Sequence, residues 1–443
     1  MNRLHPPPAV REIADRLEGA GFEAWCVGGA IRDALLGQEH LDWDLATSAT
    51  PTQVRDLFGP RRTIPVGIEF GTVGVLDRHG VMHEVTTFRR DVRTDGRHAE
   101  VEFGVSLEDD LARRDFTINA IAYSPRREEI RDPFGGQRDL EQRLVKAVGD
   151  PDARMREDRL RALRAIRFAA RFGFRIDPAT RRAIEASAPH LGRLSPERVK
   201  QELDKTLEQV ACPSTAFEMW RATGAFGTLV PALGAASPED LAVPDYAARP
   251  GPPTRPARRA IRYSALLVSL GAKGAGQVVT GLRSARHEIN AVVALIERWE
   301  ALGGPISDRA AADEPPSDGE VRRWTARIGR THVAAFMRLA SAIWSSARTH
   351  QHLAPRPEIV RSLYRRMLRA ALGDPIDLGS LAVDGDDLKR AGIPAGPGLG
   401  KILQALLAAV IDDPWRNRTD WLLQEAQRLH EQRQHDTKQS GRS

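Results

Sequence analysis

The feature that most constrains this chain is a change of pattern at Asp150-Pro151. Before it, short apolar runs alternate with amphipathic segments. The spacing predicts a helix over 9–20 stopped by Gly21, and a strand over Ala24–Val27 that runs into Gly28-Gly29. A helix over Ala30–Gly37 and a strand over Leu41–Thr47 follow, then strands over Gly71–Asp77 and Val81–Phe88 around the turn Arg78-His79-Gly80. Ile118–Tyr123 continues the mixed pattern. After Asp150-Pro151 the helical period dominates. Glu157–Arg175 reads as one amphipathic helix, and Asp177-Pro178 and Ser195-Pro196-Glu197 read as helix starts. The expected fold class is therefore α+β: a head with a small mixed β-sheet, then an all-α remainder.

Pro and Gly cluster at 231–256 and 303–318, which read as linkers, and helices are expected at 286–301 and 399–411. The resulting division is a head at 1–150, a helical neck at 151–230, a helical body and tail at 231–430, and a polar, unstructured end at 431–443. A length of 443 residues fits several domains. Two cysteines, Cys26 and Cys212, give neither a disulfide framework nor the paired ligands of a structural zinc site, so a reducing cytoplasm is expected. The longest apolar stretch, Ile402–Ile411, is too short to span a membrane, and the N-terminus lacks an apolar signal core. The net charge is +6, yet Arg154–Glu202 alone holds 13 Lys/Arg against 6 Asp/Glu. The basic excess thus lies in one helical segment, where it can meet a nucleotide or a phosphate backbone.

The strongest chemical signal is GGAIRDALLGQEHLDWD, Gly28 to Asp44. Glycines between a strand and a helix let backbone N–H groups approach phosphate, and Arg32 sits one turn in, able to clamp phosphate oxygens. Asp42 and Asp44, two apart on a strand, point to one face while Trp43 points to the other. Such a pair beside a phosphate cradle suits Mg²⁺ held between protein and triphosphate. Taken alone, Asp-x-Asp reads as a solvated strand end; the joint pattern with the glycine turn favours the metal. Glu84, on a strand face with Met82 and Thr86, is a candidate third acid or simply a solvent-facing charge. On a helical wheel Leu163, Ile166 and Ala170 share one face, and Arg161, Arg164 and Arg171 share another within roughly 80°. Arg167 lies at the edge of that stripe and Asp158 one turn before Arg161. A stripe of this kind is ordinarily a solvated face.

Four motifs occur in order. The first, GGAIRDALLG…LDWDLATSATP, resembles the first motif of the class II tRNA nucleotidyltransferase and poly(A) polymerase family. LEDDLARRDFTINAIA (Leu107–Ala122), EDRLRALRAIRFAARFGF (Glu157–Phe174) and SPERVKQELDKTL (Ser195–Leu207) resemble later ones. The resemblance spans about residues 20–210. It implies Mg²⁺-dependent, template-independent addition of CCA to the 3′ end of tRNA from CTP and ATP. In that scheme Asp42 and Asp44 bind metal, and Glu84, read above from its strand, is the candidate third catalytic acid. Gly29, Arg32 and Arg114 hold the triphosphate, with Asp115 orienting the arginine. Asp158 and Arg161 read the base, and Arg164 and Arg167 support them. Arg93, Asp95, Gly96 and Arg97 match the family's flexible loop, although the segment alone also reads as an exposed hairpin turn. The helices beyond the neck would grip tRNA. An A-adding or CC-adding specialist, a poly(A) polymerase, or an inactive RNA-binding protein would share many of these motifs. The position of the phosphohydrolase site that some members carry, 259–274, lacks a His-Asp doublet, so that activity is not expected.

Overall fold

The computed structural model describes residues 4–38, 42–94, 99–248, 256–312 and 314–440. In the head, α1 (Pro8–Gly19) buries Val10, Ile13, Ala14 and Leu17, the spacing of one helical face. β1 (Ala24–Val27) is buried at all four positions. Gly28 then turns with φ +77°, a left-handed conformation that other residues rarely adopt, and α2 (Gly29–Leu35) begins. β2 (Asp44–Thr47) is followed by α3 (Pro51–Phe58), which opens with a reciprocal cap between Thr50 and Gln53. Next come β3 (Thr63–Gly67), β4 (Thr72–Leu76), β5 (Met82–Thr87), β6 (Arg89–Thr94), β7 (Ala99–Phe103) and α4 (Leu107–Ala112). β8 (Ala122–Ser124) and β9 (Glu129–Arg131) follow.

Among the described residues these strands form a seven-stranded sheet in the order β3-β4-β5-β2-β1-β8-β9, with β6 and β7 as a separate hairpin. β2 and β5 run parallel, with Leu45 opposite Val85; the other neighbours are antiparallel. The sheet is therefore mixed, as expected. One face of its inner strands is sealed by Trp25, Val27, Ala46, Phe88, Ala122 and, from α4, Leu107 and Leu111.

The head continues through α5 (Gly136–Glu141) into α6 (Pro151–Glu157), α7 (Leu160–Phe172), α8 (Pro178–Ser187) and α9 (Pro196–Gln209). Head and neck belong to one compact unit, Met1–Ala235. The second unit, Ala236–Ser443, is helical. One of its cores gathers Phe336, Met337, Trp344 and Met367, and another gathers Ile402, Leu406, Leu422 and Ala426. No helix among the described residues is long and apolar enough to cross a membrane.

Several expectations change. Glu157–Arg175 is not one helix: the chain breaks at Asp158, whose backbone is extended (φ −145°, ψ 105°). The Asp158 side chain causes the restart, its Oδ1 accepting from the Leu160 N–H at 3.0 Å. Ile118–Tyr123 opens with a 3₁₀ turn, Thr117–Asn119, before β8. The stretch 231–256 contains the boundary between the units but also a helix, Pro238–Tyr246. The helix expected to stop at 301 runs on to Ala311, through Gly303-Gly304-Pro305. A Cβ on Gly303 would lie 2.6 Å from the Trp299 ring, so the glycine makes room for an indole within the helix. The last helix, Thr419–Ser440, continues through most of the segment read as an unstructured end.

Candidate active site

An open cleft of about 470 Å³ lies where α7 and α9 face the end of β1 and β2. Gly29, Arg32, Asp44, Arg114, Asp158, Arg161, Arg164, Arg167 and Lys205 all line it, so residues from four separate sequence motifs share one space. Gly28 lines it too, and a Cβ there would sit 3.2 Å from Arg114 Nη1, which explains a second demand for glycine at that turn.

Asp44 carries the acidic side of the cleft. Its carboxyl is pushed up to about 6, first by burial and then by the charges of Asp42 and Glu84, with Arg114 opposing. The parallel pairing of β2 with β5 sets Asp44 beside Glu84, and the position preceding β2 leaves Asp42 exposed. Asp42 and Glu84 do not line the cleft itself. Among the described residues no three Asp, Glu, His or Cys side chains form a complete cage for a metal ion. The donor set nonetheless fits a hard divalent cation. Such an ion needs only one or two protein carboxylates when phosphate and water supply the rest, and it would relieve the repulsion that raises Asp44.

The arginines are ordered by acids, some local and some from other elements. Asp110 Oδ1 accepts from Arg113 Nε and Nη2 at 3.0 and 2.8 Å, and its Oδ2 accepts from Arg114 Nη2 at 3.1 Å. Burial alone would raise the Asp110 carboxyl, but Arg114 and then Arg113 outweigh it and hold it below the usual carboxylate range. Thus Asp110, rather than Asp115, orients Arg114. Asp115 Oδ2 instead receives Arg164 Nε and Nη2 at 2.8 and 2.7 Å. Its Oδ1 accepts from Asn119 Nδ2 at 2.8 Å. Its carboxyl is likewise lowered, against the effect of burial, by Arg164 and the Asn119 bond.

Arg32 departs most from expectation. It lines the cleft yet is only 4% exposed, and its donors are engaged by protein groups. Its Nε donates to Asp33 Oδ1 at 2.7 Å and its Nη1 to Asn119 Oδ1 at 2.6 Å. Its guanidinium packs against both Phe168 and Phe172, 5.0 and 4.8 Å from the ring centroids. Asp33 in turn accepts from Arg171 at 3.3 Å. Arg167 Nε donates to Glu202 Oε2 at 2.7 Å and its Nη1 to Gln209 at 3.1 Å. The arginine stripe of α7 is therefore not a solvated face but a set of paired charges, with Arg164 and Arg171 reaching acids of the head and Arg167 an acid of α9.

The two expected base readers sit at the break between α6 and α7. Asp158 Oδ2 accepts from Arg198 Nη2 at 2.8 Å. Arg161 Nη1 donates to Glu157 and to the Arg154 carbonyl at 2.6 and 3.1 Å, and its Nη2 to the Arg113 carbonyl at 3.1 Å. Sequence reasoning missed Asn119, Asp110, Glu202, Gln209, Arg198 and the phenylalanine pair. A signal existed only for the last, since Phe168 and Phe172 are four apart and so adjacent on a helix. Of the expected loop, Asp95, Gly96 and Arg97 lie outside the described residues, and Arg93 lies on β6.

Comparison with known proteins agrees with this arrangement. Residues 24–146 match the family described as the poly A polymerase head domain, and 173–236 match the probable RNA and SrmB-binding site of polymerase A. A CCA-adding enzyme of Limosilactobacillus fermentum is 33% identical over 95% of this chain and 96% of its own length. One from Geobacillus kaustophilus is 37% identical over 95% and 97%. The crystal structure of the Bacillus stearothermophilus CCA-adding enzyme in complex with CTP superposes with a TM-score of 0.76 at 29% identity, covering 98% of this chain and all of that one. The Thermotoga maritima CCA-adding enzyme complexed with tRNA shares the fold, with a TM-score of 0.66 at 22% identity and 96% coverage of each chain. On identity sustained along almost its whole length, and with a head that matches the poly A polymerase head domain, the chain belongs to the family of CCA-adding enzymes.

Proposed function

We propose that this protein adds CCA to the 3′ end of tRNA, drawing on CTP and ATP without a nucleic-acid template and releasing pyrophosphate. The observation that carries the reading is the cleft that joins Asp44 and the Gly28-Gly29 turn to Asp158 and Arg161. One wall offers acid and glycine, as triphosphate chemistry requires, and the other offers an acceptor and donors fixed in place.

Asp42 and Asp44 would hold Mg²⁺, which supplies charge neutralisation at the acceptor hydroxyl and the leaving pyrophosphate. Glu84 adds negative charge beside Asp44 on the neighbouring strand. The Gly29 backbone and Arg114 hold the triphosphate, with Arg114 aimed by Asp110. Arg32 holds Asn119 and, through it, Asp115 and Arg164, and so acts as a positioning residue.

Asp158 selects the base. Its carboxylate oxygens can only accept, and each retains a lone pair beyond the bonds to Leu160 and Arg198. Cytosine and adenine present an amino group at the corresponding ring position, whereas uracil and guanine present a carbonyl. A wrong base leaves a buried polar group unpaired, at a cost of about 1–3 kcal/mol. Arg161 carries five N–H donors, three of them held by Glu157, Arg154 and Arg113, and offers the rest to ring acceptors. Arg164 and Arg167, tied to Asp115 and Glu202, keep α7 in place. The helices of 236–443 serve RNA binding, mainly through backbone and shape.

The test is incubation with tRNA lacking its last three, two or one nucleotides, given CTP alone, ATP alone or both. CC is added from CTP and A only onto a CC end. Failure to restore CCA on any acceptor refutes the proposal, and runs of A would point to a poly(A) polymerase.

A further inference from the structure

The sheet of the head carries an exposed apolar area that the nucleotide cleft does not use. Strand pairing places Ile64 opposite Gly74, Gly74 opposite Glu84, and Glu84 beside Asp44. Directly paired residues point to the same side of a sheet, so Ile64 and the acids share one face. Val66 and Met82 lie across Gly74: a Cβ there would sit 3.0 Å from Val66 Cγ2 and 2.6 Å from Met82 Sδ. Ile64, Val66 and Met82 are each at least 40% exposed, on strands whose opposite face buries Val73, Val75 and Val85 completely. Phe70 and Phe103 extend the patch beside Gly71, with Phe103 2.6 Å from where a Gly71 Cβ would be.

The direction of the reaction says what this surface faces. Attacking and leaving oxygens stand roughly in line across the transferred phosphorus. In the row of paired residues, Asp44 is followed on one side by Val27 and the Gly28-Gly29 turn, where the cleft opens. On the other side it is followed by Glu84, Gly74 and Ile64. A nucleoside triphosphate in the cleft therefore leaves the attacking hydroxyl to arrive from the side of β5, β4 and β3.

We propose that Ile64, Val66 and Met82 form a shelf for the terminal base of the RNA acceptor, holding its 3′-hydroxyl beside Asp44 and Glu84. This rests on the CCA-adding reading given above. Bases have apolar faces that pack without regard to sequence, so an aliphatic shelf accepts C and A alike as the end grows. The soft, unbranched side chain of Met82 suits such varied contact.

The test is a cycle of four reactions on the full-length protein with ATP. It pairs wild type and the Val66→Ser/Met82→Ser variant with tRNA ending in CC, either intact or abasic at its last position. The wild type on the intact acceptor controls for the activity itself: no extension there refutes the proposed function, not the shelf. Given extension, the variant raises the KM for intact tRNA about tenfold while the KM for ATP holds, and the abasic acceptor raises it similarly in wild type. The two losses do not add, because they remove the same contact. The apolar Val66→Ile/Met82→Leu variant keeps the wild-type KM. Additive losses, or an unchanged acceptor KM in a variant that melts like wild type, overturn the shelf. A shift in sedimentation without a change in KM would assign the patch to self-association and overturn it as well.

Discussion

Replacing Arg32 with alanine separates a structural role from a phosphate-binding one. Arg32 is buried, bonds Asp33 and Asn119, and stacks on two phenylalanine rings. Its removal leaves Asn119 Oδ1 without that donor and takes from Asp33 its 2.7 Å partner, with Arg171 3.3 Å away. Breaking a buried ion pair from one side costs about 3–5 kcal/mol. For a unit the size of Met1–Ala235, each kcal/mol shifts the midpoint by roughly 2–4 °C, so the expected fall is about 10 °C. Arg32→Lys keeps the charge but loses the planar fork that serves both partners and both rings, and recovers under half of the loss. The assay is thermal unfolding followed by circular dichroism, alongside steady-state kinetics with CTP well below the midpoint. The positioning role predicts a large fall in stability with the KM for CTP raised less than threefold. An unchanged midpoint with a KM raised tenfold or more would refute the reasoning and return Arg32 to the triphosphate.

Asp44→Asn abolishes transfer, by about 10³-fold or more, since cation binding supplies several kcal/mol at the transition state. The same change removes a carboxylate held up to about 6, so the apo variant unfolds no earlier than wild type at pH 7, and a lower midpoint would contradict this account. Asp158→Ala relaxes selection against UTP and GTP by about tenfold, read as ratios of kcat/KM; unchanged ratios would remove Asp158 from base selection. Asp115 titrates below the usual carboxylate range in the folded state, so its contribution to stability is present above about pH 4 and fades as the pH falls through that lower value. Asp115→Asn therefore flattens the acid side of a urea-midpoint profile between pH 2.5 and 6, and a parallel, merely lowered profile would count against it.

The segments 24–37 and 44–47 were legible because their signals are local, although β2 starts at Asp44 and leaves Asp42 just outside it. Four apolar residues, two glycines and a short helical pattern leave little choice, and β1, α2 and β2 form there. The break at Asp158 was not legible, because the apolar spacing runs on through it and only a side-chain bond to Leu160 interrupts the helix. The run from Gly303 to Pro305 misled for the opposite reason: its local signals say stop, whereas the fit of Trp299 overrides them. In the site, residue types and their gathering could be anticipated, but pairings could not. Arg32 meets Asn119 87 positions away, and Arg164 meets Asp115 49 positions away. A helical wheel assumes water opposite each charge, and here the opposite groups are acids from other elements.

The parallel pairing of β2 with β5 has a mechanical consequence. Two strands running the same way cannot be joined by a tight turn, so the chain must leave the sheet through α3 and the outer strands before it returns with Glu84. The acids consequently hang from the middle of the ladder, clamped on both flanks, while β3 forms its free margin. Thermal excursions of a sheet concentrate at such margins. The reacting centre is thus the stiff hub of the head, and compliance is exported to the rim, where a lengthening strand of RNA has to be accommodated anew after each step.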